Sequence, residues 1–389
     1  MSRKLKSVIP AALLLLCGCT RSSEPARELK AALNLSSTEM TYLDTTIKGL
    51  GILPKTRIVL EPNQGIDPAS LLMGQNQPDV FELDYKDLKR LAPKALPLDR
   101  MFTDEYERSV FSLNCFEPGV ISGRHLFLPF RLRWLALLYN AERVSEVPQD
   151  LKALAGLCAS HPGGLGLCWS DDYVLAEFIL SLIWAFNGNP FDLENANTKK
   201  ALYFLASLNP CLISYSGNYD ADSLAQALAK GEIDFAFAEL DTARLLWENG
   251  SFPYPIAGAA FPGRTPLAFT GSYLGVNKNS AHPAEAYALA FNLTEPKSCE
   301  KIIGEGLWLC SLPSTSQPSP PPARVELFKP YLASLYRLRP PAPGVDFASL
   351  AKIYRELFKR LVVQPEPVEL VSAELRLKLK QLEAGLSEK

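Results

Sequence analysis

Histidine and methionine are scarce in this chain, three and four residues in all. His125, His161 and His282 are far apart and lack the spacing that a metal site needs, so no metal is expected. Neither charge dominates: 40 basic residues face 42 acidic ones, for a formal charge of -2. That balance excludes the basic field on which nucleic-acid binding rests. The chain has no phosphate-binding loop and no dinucleotide fingerprint, since His161-Pro-Gly-Gly-Leu-Gly166 lacks the glycine spacing. It has no nucleophile elbow either, since Gly271-Ser-Tyr-Leu-Gly275 puts its serine in the second place instead of the third. No catalytic residue and no cofactor is therefore expected. A pair of carboxylates able to cleave glycosides remains open, because any two acids can meet in a fold. No repeat with a period of about 20–50 residues is present.

Long apolar runs are also missing, apart from one at the start. Arg3, Lys4 and Lys6 precede an apolar stretch from Val8 to Leu16 that Pro10 interrupts. The order is that of a secretory signal, and the run is about half of the ~20 residues a spanning helix needs. Leu16-Cys17-Gly18-Cys19 follows and resembles a bacterial lipoprotein box, with Cys19 as the lipidated residue and 1–18 as the signal. The other reading is an ordinary apolar start with two cysteines. Residues 19–25 are polar and suit a short tether. What remains is about 370 residues, too long for one ordinary core and right for two lobes.

The six remaining cysteines are Cys115, Cys158, Cys168, Cys211, Cys299 and Cys310. An exported chain permits disulfides. Two short-range pairs are expected, Cys158 with Cys168 and Cys299 with Cys310, which leaves Cys115 with Cys211 by elimination. Buried free thiols are the alternative.

Thr56 to Leu60 is β-branched and reads as a strand, as does the step from Gln77 to Glu82. A short helix is expected over 87–91. Longer ones are expected over 172–186, 198–208, 223–230 and 283–293, with strands at 233–237 and 274–277. Pro313 to Pro322 reads as a connection, and the tail from Asp346 as helices broken at 364–367. Strands alternating with helices indicate α/β layers.

In that order the segments resemble the family 1 extracellular solute-binding proteins, the group of maltose-binding protein. Gly74-Gln-Asn-Gln-Pro-Asp79-Val80 resembles the family's step into a strand, and Leu96-Pro-Leu-Asp99 the loop after it. Leu128-Pro-Phe130 through Leu138-Tyr-Asn140 resembles the crossover. Phe186-Asn-Gly-Asn189 and 201–208 resemble a helix, turn and helix. Ala227-Leu-Ala-Lys-Gly231 before the strand at Phe235 resembles a further element. Pro253-Tyr-Pro255, 259–263 and 271–280 resemble the return crossover, and 286–293 with Leu312-Pro-Ser314 completes the series. Arg131 and Arg133 depart from the pattern beside the crossover, and one of them is expected to face solvent.

The resemblance implies an α/β, two-lobed periplasmic-binding-protein fold, with crossover strands as hinge and a ligand cleft between the lobes. The first lobe takes 26–130 and 267–312, the second 131–266 and 313–389. A monomer that captures a small polar solute, most simply a mono- or oligosaccharide, and passes it to ABC-transporter permease subunits is the function implied. Sensing through a membrane receptor and a lipid-anchored glycoside-active enzyme are the alternatives. Ligand contacts are expected from Glu39, Asp84, Tyr85 and Arg131 in the first lobe. Trp169, Asp171, Asp172, Tyr173, Tyr219 and Glu239 are expected from the second, with Trp308 as a late aromatic platform. Acids accept paired hydroxyls, arginine donates a fork of bonds, and aromatic rings offer a flat face with a polar handle. Each has a structural alternative: Asp171 and Asp172 can cap the helix that follows, and Trp134 and Trp184 suit the core. Replacing Cys19 with Ala should release the protein to the soluble fraction or leave an unprocessed precursor. Acyl labelling that persists in Cys19→Ala would refute the lipidation reading.

Overall fold

The computed structural model describes residues 27–99, 113–212, 219–248, 255–312, 325–341 and 345–387. The Cys19 box, the tether and the proline-rich stretch from Pro313 lie outside the described residues. Two sheets organise the rest. The first begins with β1 (Arg27–Leu33), whose C-terminal half is buried, and β2 (Thr56–Pro62), paired in parallel with it. Helix α1 (Ser37–Leu50) connects them. A Ser36–Glu39 capping box starts it, and Gly51 in the left-handed region ends it. β3 (Val80–Asp84) joins the other edge of β1.

β4 (Phe127–Trp134) runs into β5 (Ala136–Asn140) with one residue, Leu135, between them. β4 belongs to the first sheet and β5 to the second, so the chain changes sheet there. The second sheet takes β6 (Leu165–Leu167), β7 (Phe235–Ala238) and β8 (Ile256–Ala260), in the order β8-β5-β7-β6. Its helices are α2 (Leu151–Ser160), α3 (Asp172–Ala185), α4 (Ala196–Ser207), α5 (Ala221–Lys230) and α6 (Leu240–Glu248).

The chain then returns to the first sheet in β9 (Leu267–Val276), ten residues that are all buried. β9 pairs with β3, with β4, and with the short β10 (Leu338–Arg339). Gly271 makes this packing possible. Its φ is 147°, and a Cβ there would meet the Arg131 carbonyl oxygen at 2.1 Å. The next step of β9, between Ser272 and Tyr273, is where its register on β4 shifts. α7 (Pro283–Thr294) and α8 (Pro296–Gly304) come after β9. α9 (Val325–Ser334), α10 (Phe347–Phe358) and α11 (Val368–Ser387) follow, and a π-helical turn at Lys359–Val363 ends before the expected break at 364–367.

α3 is apolar on all sides and buried along most of its length, the pattern of an interior helix. Its two polar interior residues, Glu177 and Ser181, are one turn apart and share a face. That face meets β9: Thr270 Oγ1 donates to Glu177, and the Ala268 N–H donates to Ser181 Oγ at 3.0 Å. Trp134 and Trp184 are buried, as expected of core residues.

The cysteine pairing differs from expectation. Cys158 bonds Cys211, with their Cα atoms 4.9 Å apart, and Cys115, Cys168, Cys299 and Cys310 are buried and form no disulfide among the described residues. Residues 210–212 lie beside the start of β6, where Gly163 and Leu165 donate to Pro210 and Cys211, and this brings Cys211 to Cys158. β6 meanwhile carries Cys168 away from α2, to a position beside Ser170. Cys115, Cys299 and Cys310 thus also lack the bridges expected of them. Cys299 instead donates to the Thr294 carbonyl at 3.6 Å. The bridge closes a segment of 53 residues, which in the chain-entropy view stabilises the fold by about 4 kcal/mol. Cys158→Ala/Cys211→Ala should lower the urea midpoint accordingly. An unchanged midpoint in the unreduced protein would show that the bridge contributes nothing.

Candidate functional site

Parallel strands direct their carboxyl ends to one side of a sheet, and ligands of open α/β sheets bind in the crevice there. In the first sheet, Asn34 follows β1, Asn63 follows β2 and Asp84 ends β3. In the second, Cys168 to Asp172 follows β6 and Glu239 follows β7. Charged and aromatic contacts between these groups show that the two sets of ends face one another.

Two charged clusters sit between them. Arg133 holds Asp84 at 3.6 Å from one sheet and Glu239 at 3.8 Å from the other. Burial alone weakens the hold of Arg133 on its proton, but Glu239, Asp84 and Glu177 outweigh it and raise the pKa. Burial pushes Glu239 up to about 7, against the pull of Arg133, with Asp241, Asp171 and Asp84 adding repulsion. Burial, and then Glu239, also hold Glu177 well above the usual carboxylate range. In the second cluster, Arg131 donates to the Asn34 carbonyl, lies 3.9 Å from Glu82 and stands over the Trp308 ring at 5.7 Å. Glu82 is 1% exposed and accepts from the Asn34 N–H at 2.7 Å and from Ser272 Oγ. Burial raises its pKa.

The two arginines therefore both turn inward, against the expectation that one faces solvent. They stand two residues apart on a strand and must share a face. The opposing strand sets Thr270 across from Arg133 and Ser272 across from Arg131.

The structure brings most of the expected site residues to this region. Glu39 is buried in the capping box and receives Arg244 of α6 at 2.6 Å. Burial raises its pKa, but Arg131, the Ser36 N–H and Arg244 more than reverse this. Tyr85 donates to the Pro341 carbonyl at 2.7 Å, and its ring meets Phe347 edge-on at 5.5 Å. Tyr173 lies 5.6 Å from Phe347 on the other side, with Lys86 Nζ 5.0 Å from its ring centre. Asp171 caps α3 by accepting from the Tyr173 N–H at 2.8 Å. Asp172 pairs with Arg355 of α10, whose Nη2 also donates to the Trp169 carbonyl at 3.0 Å. The Trp169 ring packs on Phe358 at 6.0 Å. Tyr219 is tied in through its carbonyl, which accepts from Ser170 Oγ at 2.8 Å. Trp308 is 3% exposed, its ring packed between Phe130 and Arg131, so it presents no open face in this arrangement.

Two cavities open among these groups. One of about 360 Å³ is polar, with Asn34, Asn63, Glu82, Asp84, Lys86, Arg90 and Ser272 in its wall. The other, about 920 Å³, has the aromatic faces of Tyr85, Tyr173 and Phe347 beside Lys86 and Glu117. Glu82, Lys86, Arg133, Glu177, Arg244, Phe347 and Arg355 were not singled out as contacts from the sequence. Glu177 did carry a signal, as a lone acid inside an apolar helix. His125 and His161 are bonded to Asp99 and Asp234, at 3.0 and 2.8 Å. No group of three metal-ligating side chains exists among the described residues.

The family pattern of bacterial extracellular solute-binding proteins matches residues 56–298. The chain belongs to this family. It is a solute-binding protein of the ABC-transporter type and not an enzyme. Solved structures share its fold at low identity. The cyclic alpha-maltosyl-1,6-maltose binding protein from Arthrobacter globiformis superposes with a TM-score of 0.75 at 16% identity, over 94% of this chain and 100% of that one. Maltose-bound MalE3 of T. maritima gives 0.71 at 18%, over 92% and 100%. UgpB from Mycobacterium tuberculosis, in complex with glycerophosphocholine, gives 0.71 at 15%, over 92% and 99%.

The raised pKa of Glu239 makes this solute-binding protein sensitive to pH. A carboxyl near 7 in the fold and near 4.5 unfolded binds its proton more tightly when folded. Its contribution to stability is present in full below the unfolded value and is lost as pH rises through the folded one. Glu82 and Glu177 act in the same direction. The melting temperature should fall between about pH 5 and pH 8, and Glu239→Gln should flatten that fall by on the order of 2 °C or more. Parallel curves for the two proteins would refute the assignment.

Proposed function

We propose that the chain captures a mono- or oligosaccharide between its lobes and delivers it to the permease of an ABC importer while anchored to the membrane by lipid on Cys19. The observation that carries this reading is the pairing of surfaces across the crevice. Acids, amides and arginine from strand ends supply hydroxyl partners, and Tyr85, Tyr173 and Phe347 supply flat faces beside them. Arg133 Nε and Glu177 Oε2 at the crossover have no hydrogen-bond partner among the described residues, so bonding capacity remains to be met. Several of the related structures carry maltose or other oligosaccharides in their descriptions, which supports a sugar. The glycerophosphocholine complex of the related UgpB makes a glycerophosphodiester the first non-sugar to test. No described helix is long and apolar enough to cross a membrane, which fits attachment by lipid alone.

Lobes made of 26–130 with 267–312, and 131–266 with 313–389, would close as rigid bodies about the crossovers. A ligand favours closure only if it touches both lobes. The ligand-contacting set would be Glu39, Asp84, Tyr85, Arg131, Trp169, Asp171, Asp172, Tyr173, Tyr219, Glu239 and Trp308, with the direct contacts concentrated at Asp84, Tyr85, Tyr173 and Glu239. Thermal shift against mono- and oligosaccharides, polyols and glycerophosphocholine identifies the class, and titration gives the affinity. Asp84→Ala should weaken sugar binding about ten- to a hundredfold, and small-angle scattering should show compaction with sugar. Tight sugar binding with no compaction, indifferent to Asp84→Ala, would overturn the closure reading. Stabilisation by glycerophosphocholine alone would overturn the sugar.

A further inference from the structure

A third cavity, of about 580 Å³, lies at the other end of α3 from the crevice. Trp184 borders it, eleven residues along α3 from Tyr173. At 1.5 Å per residue that is roughly 17 Å from Tyr173, although Glu117 borders both this cavity and the aromatic one. Its wall is unlike that of the crevice. Among the described residues that line it, Arg264, Arg337 and Arg339 are accompanied by one carboxylate, Glu117.

Arg337 is the unusual member. It is 7% exposed, and two of its three nitrogens are used: Nε donates to the Thr265 carbonyl at 2.9 Å and Nη1 to the Phe261 carbonyl at 3.0 Å. Nη2 is buried and has no partner among the described residues. Among the described residues no carboxylate pairs with this guanidinium, and burial pushes its pKa down with only the Tyr336 hydroxyl opposing. A buried cation without a counter-charge is costly, and folds avoid it unless something neutralises the charge. The two neighbouring arginines deepen the imbalance. Arg339 stands over the Trp184 ring at 4.7 Å, which holds its guanidinium at the cavity wall. Arg264 and Arg339 are exposed, and neither is in an ion pair among the described residues. The neutral rim can also donate. Asn114 holds this wall to β10 through a bond from its Nδ2 to the Leu338 carbonyl at 2.7 Å, and Asn189 stands opposite.

We propose that this cavity binds a small oxyanion, a phosphate or a phosphoryl or carboxylate group of a larger molecule, with Arg337 Nη2 as its buried donor and Arg264 and Arg339 closing over it. Arginine forks suit the geometry of such groups and bind them bidentately. The site lies against β9 and β10, the strands paired at Leu267–Leu338 and Ala268–Arg339, and is independent of the sugar reading.

The test is calorimetric titration of the Cys19→Ala chain, which lacks the proposed lipid, with inorganic phosphate against chloride at matched ionic strength, with sedimentation on phosphatidylglycerol vesicles in parallel. Phosphate should bind where chloride does not, and Arg264→Ala/Arg339→Ala should weaken it at least tenfold. Arg337→Met should abolish it. Because that residue is buried, the double variant at exposed positions decides the matter if Arg337→Met fails to fold. Binding to vesicles that the double variant loses would assign the oxyanion to a lipid headgroup, and loss of free phosphate binding would assign it to a soluble ion. Phosphate indistinguishable from chloride together with no vesicle binding, or binding that both variants retain, overturns the proposal.

Discussion

A half-buried guanidinium holds the crossover together. Arg133 ends a strand whose other residues are mostly apolar, at the point where the chain leaves one sheet for the other. A charge there is tolerable only if acids come to it from its surroundings. They come from β3 through Asp84 and from the end of β7 through Glu239, with Glu177 of α3 close enough to add to the field. One cation thus ties together groups from both sheets and an interior helix. Three acids gather around it, which is more negative charge than it can neutralise. The raised pKa values of Glu177 and Glu239 follow from this excess together with burial.

β9 is the mechanical counterpart of that cluster. It is buried throughout because it is paired or covered along its whole length: by β3 and β4 in the first sheet, by β10 at its start, and by α3 through Glu177 and Ser181. Its alternate residues Thr270 and Ser272 present hydroxyls to Glu177 of α3 and Glu82 of β3. A strand that served only as a connection would have no need to satisfy carboxylates on both sides. Gly271, between those two hydroxyls, gives the backbone the close approach to β4 that sets both arginines opposite them.

The sequence made the elements legible because most depend on local pattern. The helix read over 172–186 is Asp172–Ala185, and that over 283–293 is Pro283–Thr294, each bounded by residues that start or stop helices. Asp171 could be read as a cap for the same reason, since capping is decided within three residues. The bridge from Cys158 to Cys211 was not legible, because a backbone pairing between 210–212 and β6 decides it, far from either cysteine's own neighbourhood. Arg244 and Arg355 are of the same kind. Each reads as a surface residue of an amphipathic helix, and each finds its acid, Glu39 or Asp172, only through tertiary packing.

The two parts of the crevice differ in how firmly they are set. The polar cavity lies at the ends of β1, β2 and β3 in the first sheet, and its groups are fixed by the strands that carry them. Glu82 is locked by the Asn34 N–H, Ser272 and Arg131, and Asn63 donates to the Glu82 carbonyl at 3.3 Å. The aromatic cavity is assembled from distant parts of the chain, since Tyr85 follows β3 while Tyr173 and Phe347 lie in the first turns of α3 and α10. Arg355 of α10 holds the loop before α3 by two carbonyls and Asp172, which ties together the helices that carry Tyr173 and Phe347. A solute that used only the polar cavity would bind without regard to the other lobe. One that also stacks on Tyr173 or Phe347 gains contacts only when the lobes meet, and differential affinity of that kind is what couples binding to closure.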